Sequence, residues 1–273
     1  MSHRKAVVLT CIVALMWSLA GLNIKMISLT PYAISCGRSL IAAVVLFPWI
    51  LKRGTLKLDR YAFGGAVCYL IFNYCFTVST KLTTSAFAIM MQYTAPIYVA
   101  VFSRIFLKEK ITKTDMACMA SVFGGMLLFF SDGTGGGNPL GNAVAVVNGI
   151  SFAGISMFLQ MQKEGNPENS FFFGNVLAAI AGFPFLIQSG IPGASDTAFL
   201  ILAGLLSAVS YTIYASASKG LSALESVLIP VIDPVMNPVW VFLFLGERPG
   251  WMSIIGAAVI LTAVSIKVLK SQR

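Results

Sequence analysis

Ten apolar stretches, each about the length of a bilayer-spanning helix, fill this 273-residue chain almost end to end. They run at about 6–28, 31–51, 61–79, 83–104, 113–131, 140–161, 170–189, 196–217, 222–245 and 249–268. A helix needs roughly 20 apolar residues to cross a hydrocarbon core of about 30 Å. In lipid every backbone N–H and C=O must find a partner inside the protein, so the pattern predicts an all-α integral membrane bundle. Hydrophobic residues make up 57% of the chain and charged residues 11%, which leaves no material for a soluble catalytic domain.

The net charge of +9 could suggest nucleic acid, but the basic residues sit in short loops and at helix ends rather than in one patch. With a cytoplasmic N-terminus, Arg4, Lys5, Lys52, Arg53, Lys57, Arg60, Arg104, Lys108, Lys110, Lys113, Lys163, Lys219, Lys267, Lys270 and Arg273 face inward, 15 of the 19 Lys and Arg residues. This bias predicts a multi-pass protein of the plasma (inner) membrane with both termini cytoplasmic. The segment after Arg4 and Lys5 has no small-residue cleavage site and is read as a retained helix. Five cysteines lie in apolar segments without CxxC spacing, and the single histidine, His3, is read as lying in the N-terminal tail. Neither pattern suggests a disulfide, a metal site or a cofactor.

The Gly-rich stretch 131–139 divides the chain nearly in half, and it has neither GxGxxG nor GK[ST] to make a phosphate cradle. It reads as a linker (133–139) between a first five-helix unit (1–132) and a second (140–273). A shift of 138 positions overlays Pro96 on Pro234, Phe106-Leu107 on Phe244-Leu245, Glu109 on Glu247 and Lys110 on Arg248, while Ser18-Leu19-Ala20-Gly21 matches Ser151-Phe152-Ala153-Gly154. Five spans per unit is an odd number, so the second unit enters the membrane inverted, as in many secondary transporters. Gly64-Gly65, Gly124-Gly125 and Gly256-Ala257-Ala258 read as close-packing faces.

Trp17-Ser18, Arg38, the stretch from Thr84 through Pro96 to Phe106-Leu107-Lys108-Glu109-Lys110, and its echo from Pro234 to Phe244-Leu245-Gly246-Glu247-Arg248 together resemble the drug/metabolite transporter superfamily, in its ten-helix EamA-type branch. The resemblance covers nearly the whole chain. It implies two inverted five-helix repeats around a central cavity, with spans five and ten at the periphery. It also implies transport of small metabolites, often amino acids or amphiphilic compounds and commonly outward. Span nine carries more prolines and more polarity than the family pattern requires.

In span nine Pro230, Pro234 and Pro238 recur every four residues. Each removes an N–H donor and frees the carbonyl four residues back, at Ser226, Pro230 and Pro234. Those carbonyls must face protein or a cavity. Asp233 lies mid-span, where a carboxylate costs roughly 2.5–3.5 kcal/mol even on lenient insertion scales. It is either a proton-coupling or cation-binding group or a structural clamp across helices. Trp17, Asn73, Gln92, Tyr93, Asn148, Tyr211, Asn237 and Trp240 are the candidate substrate contacts, an aromatic wall with a few amides. Lys25 and Arg38 would suit an anion, yet both lie near span ends from which they can snorkel, and a structural role is favoured for Arg38. Glu109 and Glu247 read as loop anchors beside Lys110 and Arg248.

The leading reading is a secondary active transporter of a small organic metabolite, working by alternating access, proton-coupled if Asp233 titrates, and a monomer or weak dimer. No Walker motif is present. A channel or facilitator is the alternative, disfavoured by the lack of charge rings or a filter segment. A membrane enzyme would show paired carboxylates or a histidine site, and a scaffold would not need a mid-membrane Asp. Fusing a cytoplasm-active reporter to the C-terminus is expected to give full activity, and a periplasm-active reporter there to give none; the opposite result overturns the topology.

Overall fold

The computed structural model describes residues 1–53, 56–83, 85–108, 110–131, 138–236 and 251–271. Asn237, Pro238, Trp240, Glu247, Arg248 and Glu109, singled out above, lie outside the described residues, as does most of the Gly-rich linker. All regular structure among the described residues is helical: α1 His3–Trp17, α2 Ala20–Met26, α3 Pro31–Arg53, α4 Arg60–Leu82, α5 Ser85–Gln92, α6 Ala95–Phe102, α7 Lys113–Ser131, α8 Pro139–Met161, α9 Glu168–Gln188, α10 Ala194–Ser218, α11 Ala223–Leu228 and α12 Trp251–Ser271. Six helical spans among these residues are long and apolar enough to cross a membrane: His3–Met26, Pro31–Lys52, Arg60–Leu82, Pro139–Met161, Glu168–Gln188 and Ala194–Ser218.

Local chemistry sets the helix ends. Asp59 caps α4 by accepting from the N–H groups of Tyr61 (2.9 Å) and Ala62 (2.8 Å), satisfying two of the donors that a first turn leaves orphaned. Asn138 caps α8 through the Leu140 N–H, with Pro139 in the first helical position where its missing donor costs nothing. Ser222 and Glu225 form a reciprocal capping box that starts α11.

Three apolar spans are interrupted. α1 and α2 meet at Ser18–Leu19, directly after Trp17. α5 and α6 are separated at Tyr93–Thr94, because Pro96 has no N–H for the Gln92 carbonyl. α6 then loosens into a π-turn at Ser103–Leu107 that ends on Lys108 with a left-handed φ of 55°. In the third, α11 tightens into a 3₁₀ turn at Ile229–Val231 and returns to α-helix at 232–236.

The principal packing pairs are α4 with α8 and α9, α3 with α9 and α10, α1 with α10, α5 and α6 with α8, and α7 with α12. The α7–α12 pair is backbone-close: a Cβ at Gly125 would lie 2.9 Å from the Gly256 carbonyl oxygen. Lys267 near the end of α12 bridges to Asp115 at the start of α7 (2.6 Å). A Gly125→Val substitution is expected to lower stability by about 1–3 kcal/mol through overpacking, read as a drop in the thermal midpoint of detergent-solubilised protein; an unchanged midpoint would show that the two helices are not in backbone contact.

Candidate functional site

The prolines of the broken segment from α11 to residue 236 each free a carbonyl, and the structure supplies a phenol to two of them. The Tyr214 hydroxyl donates to the Ser226 carbonyl (2.9 Å), which Pro230 leaves without its helical donor. The Tyr93 hydroxyl lies 2.8 Å from the Pro230 carbonyl, which Pro234 leaves free, and 2.8 Å from Asp233 Oδ2. Tyr214 comes from α10 and Tyr93 from the α5–α6 break, and both rings are fully buried. Two neighbouring segments thus hold the kink by its exposed backbone. Pro238, which would free the third carbonyl, lies outside the described residues.

A cavity with a water-accessible volume of about 30 Å³ opens beside this kink, room for about two water-sized molecules. Its polar lining includes Arg38, Asp233, Gln92 and Asn23, and its aromatic wall is Trp17, Tyr211 and the Phe72/Phe76 pair. Met16, Ala203 and Leu206 add an aliphatic side, with Ser207 and Ser210 between. Trp17 donates its indole N–H to Ser210 Oγ (3.0 Å) and packs on Tyr211 and Tyr214 at 5.1 Å, which fixes the ring against the cavity.

Arg38 does not snorkel. It is only 4% exposed, roughly 10 Å along α3 from its first residue, too deep for the guanidinium to reach the surface. Instead it donates through Nε to Asn73 Oδ1 (2.9 Å) and through Nη2 to the same oxygen. Asn73 is oriented in turn by donating from Nδ2 to Ser39 Oγ (2.6 Å). Among the described residues no carboxylate lies within ion-pair distance of Arg38. Asp233 is 5% exposed, and among the described residues its Oδ1 has no hydrogen-bond partner; the same holds for both polar atoms of the Asn23 amide. Buried polar atoms without partners cost about 1–3 kcal/mol each, and here they converge on one cavity.

Of the residues expected from the sequence, Trp17, Gln92, Tyr211 and Asp233 line the cavity. Tyr93, Asn73 and Asn148 stand one layer behind it: Tyr93 holds Asp233, Asn73 holds Arg38, and Asn148 donates to Gln92 Oε1 (3.3 Å). Asn237 and Trp240 are outside the described residues. Phe72, Phe76, Ser207 and Ser210 line the cavity without having been singled out. The spacing of Ser207, Ser210, Tyr211 and Tyr214, one polar stripe of a helix, was the available signal.

Away from the cavity, side-chain contacts join the first half of the chain to the second. At the end that gathers the α1 start, the Asn169–Lys57 contact and the α11 start, His3 Nε2 meets Glu225 Oε1 (3.0 Å), so His3 belongs to a packed helix end rather than a free tail. Gln160 and Lys219 donate to the loop carbonyls of Leu221 and Gly165 there. At the other end the Ser28 N–H donates to Asp196 Oδ1 (2.9 Å) and Thr83 Oγ1 to Asn142 Oδ1 (2.9 Å).

The sequence signature described as the EamA-like transporter family matches residues 4–131 and again 139–269. An uncharacterized transporter of Archaeoglobus fulgidus is 22% identical over 297 aligned positions, spanning 99% of this chain and all of that one. The uncharacterized transporter YetK of Bacillus subtilis (strain 168) is 24% identical over 91% of this chain and 82% of its own length. A crystal structure superposes with a TM-score of 0.81 at 16% identity, covering 99% of this chain and 98% of that one, and shares the fold. Replacing Tyr93 or Tyr214 with Phe is expected to strand a buried carbonyl and cost about 1–3 kcal/mol each, seen as a lowered thermal midpoint; two unchanged midpoints would show that the phenols do not cap the kink.

Proposed function

The chain belongs to the EamA-like transporter family, carried as two EamA domains in one multi-pass membrane protein, and on that premise we propose that it is a secondary active transporter of a small organic metabolite bearing both charges, an amino acid or a similar amphiphile. The observation that carries this reading is the pairing of a buried Arg38 and a buried Asp233 on one aromatic-walled cavity, neither with an ion partner among the described residues. A carboxylate suits the guanidinium fork and an ammonium suits the open Asp233 oxygen. The free Asn23 amide and the aromatic wall suit the rest of such a molecule.

The packing supports two inverted five-span repeats around this cavity. Numbering the spans in chain order, α4 on α8 (three on six) has its counterpart in α10 on α1 (eight on one). α4 on α9 (three on seven) is answered by α10 on α3 (eight on two), and α3 on α9 and α7 on α12 are their own counterparts. The two family matches also bracket the Gly-rich linker. A carrier built this way works by rocking one repeat against the other about the site. The His3–Glu225, Ser28–Asp196 and Thr83–Asn142 contacts, each joining the first repeat to the second, are the gates that such rocking would break in turn. The narrow cavity belongs to a closed conformation of this cycle.

Proton coupling at Asp233 rests on a count of hydrogens. One phenol proton cannot fully serve both oxygens that flank Tyr93 Oη at 2.8 Å. A proton carried by Asp233 on Oδ2 would donate to the phenol, which then donates to the Pro230 carbonyl, and both contacts become full hydrogen bonds. Among the described residues, Tyr211 and Arg38 are the other titratable groups on the cavity. The plasma membrane, cytoplasmic termini and outward direction complete the proposal.

Proteoliposomes carrying the protein are expected to show saturable counterflow of an apolar amino acid, accelerated by a pH gradient. Arg38→Gln is expected to raise the half-saturation concentration at least tenfold, and Asp233→Asn to raise it as well while abolishing the response to the gradient. Non-saturable flux would favour a facilitating channel, and unaltered kinetics in both variants would remove the site.

A further inference from the structure

We infer that the cleft between α7 and α12 is a binding site for one anionic phospholipid, which clamps the outermost helix of one half of the chain to that of the other. The cleft has a water-accessible volume of about 290 Å³ and lies between the start of α7 and the end of α12. Lys113, Lys267 and Lys270 line it. Asp115 neutralises Lys267 at 2.6 Å, while Lys113 and Lys270 are exposed and, among the described residues, have no carboxylate within ion-pair distance. Two positive charges from two different halves therefore face one opening.

Away from the lysines the walls are built of Thr114, Ala117, Cys118, Ser121, Ala263 and Ile266. Of these only Ile266 is large, so the groove stays open along the helices. A free phosphate would engage the lysines and leave this wall unused; a phospholipid uses both, with its phosphate between Lys113 and Lys270 and an acyl chain along the alanines. Basic pockets between transmembrane helices on the cytoplasmic side are suited to acidic headgroups. The two lysines are spaced along a seam whose helices pack mainly on each other, so a lipid that bridges them stiffens the junction of the halves without touching the central cavity.

Native mass spectrometry of the full chain, purified with equal phosphatidylglycerol and phosphatidylcholine, tests this. The expected result is one retained phosphatidylglycerol per chain with a preference of about thirtyfold, the ~2 kcal/mol that two lysines near a surface supply. Lys113→Gln with Lys270→Gln is expected to abolish the preference, and Ala117→Trp, which fills the groove and keeps the lysines, to abolish retention of either lipid. Equal retention of the two lipids, an undiminished preference in both variants, or an equal thermal shift from inorganic phosphate alone would overturn the site. So would efficient dimer cross-linking through Ser121→Cys in phosphatidylglycerol bilayers, because the groove would then be covered by a second copy of the chain.

Discussion

A carbonyl without a donor, buried deep inside a helix bundle, is the constraint from which the centre of this molecule follows. Pro230 and Pro234 create two such carbonyls, and each is met by a tyrosine hydroxyl from another segment. The bend can exist only where Tyr214 and Tyr93 stand, which fixes how α10 and the α5–α6 break approach it. Asp233 lies between the two prolines, so the interaction that secures the backbone also presents the carboxyl to the cavity. An unkinked helix would need neither phenol and would have no reason to bring them together.

The opposing charge is held by different means. Arg38 is secured by a side-chain amide rather than an acid: Asn73 accepts from it and is anchored by Ser39. A neutral partner occupies Nε and Nη2 without cancelling the charge, so the guanidinium keeps its field in a low-dielectric setting. An aspartate in place of Asn73 would have closed an ion pair internally and cancelled that charge.

Much of this was legible in the chain. Span length and hydropathy located the six long apolar helical spans, because a bilayer imposes one dominant length on them. The proline row named the carbonyls that would be freed, because proline acts within its own helix. What local pattern could not supply was partnership. Tyr93 and Tyr214 are 137 and 12 residues from the carbonyls they serve, and no periodicity within a helix encodes which neighbour its face will meet. Arg38 was misjudged for a related reason: its distance from a span end suggested a surface exit, whereas its depth along α3 and the facing Asn73 of α4 hold it inside. The polar stripe of α10 was readable, but its value depended on knowing that α1 and α3 lie against it.

The cavity wall separates two tasks. Its charged poles, Arg38 and Asp233, are tied into hydrogen-bonded scaffolding on α3, α4 and the kink, whereas Met16, Ala203 and Leu206 contribute aliphatic surface. In the proposed carrier, resizing those three aliphatic residues would alter which molecular shapes are admitted and leave both charged poles in place. On that reading, relatives at 22–24% identity would diverge in cargo through a few space-filling positions, with no new chemistry.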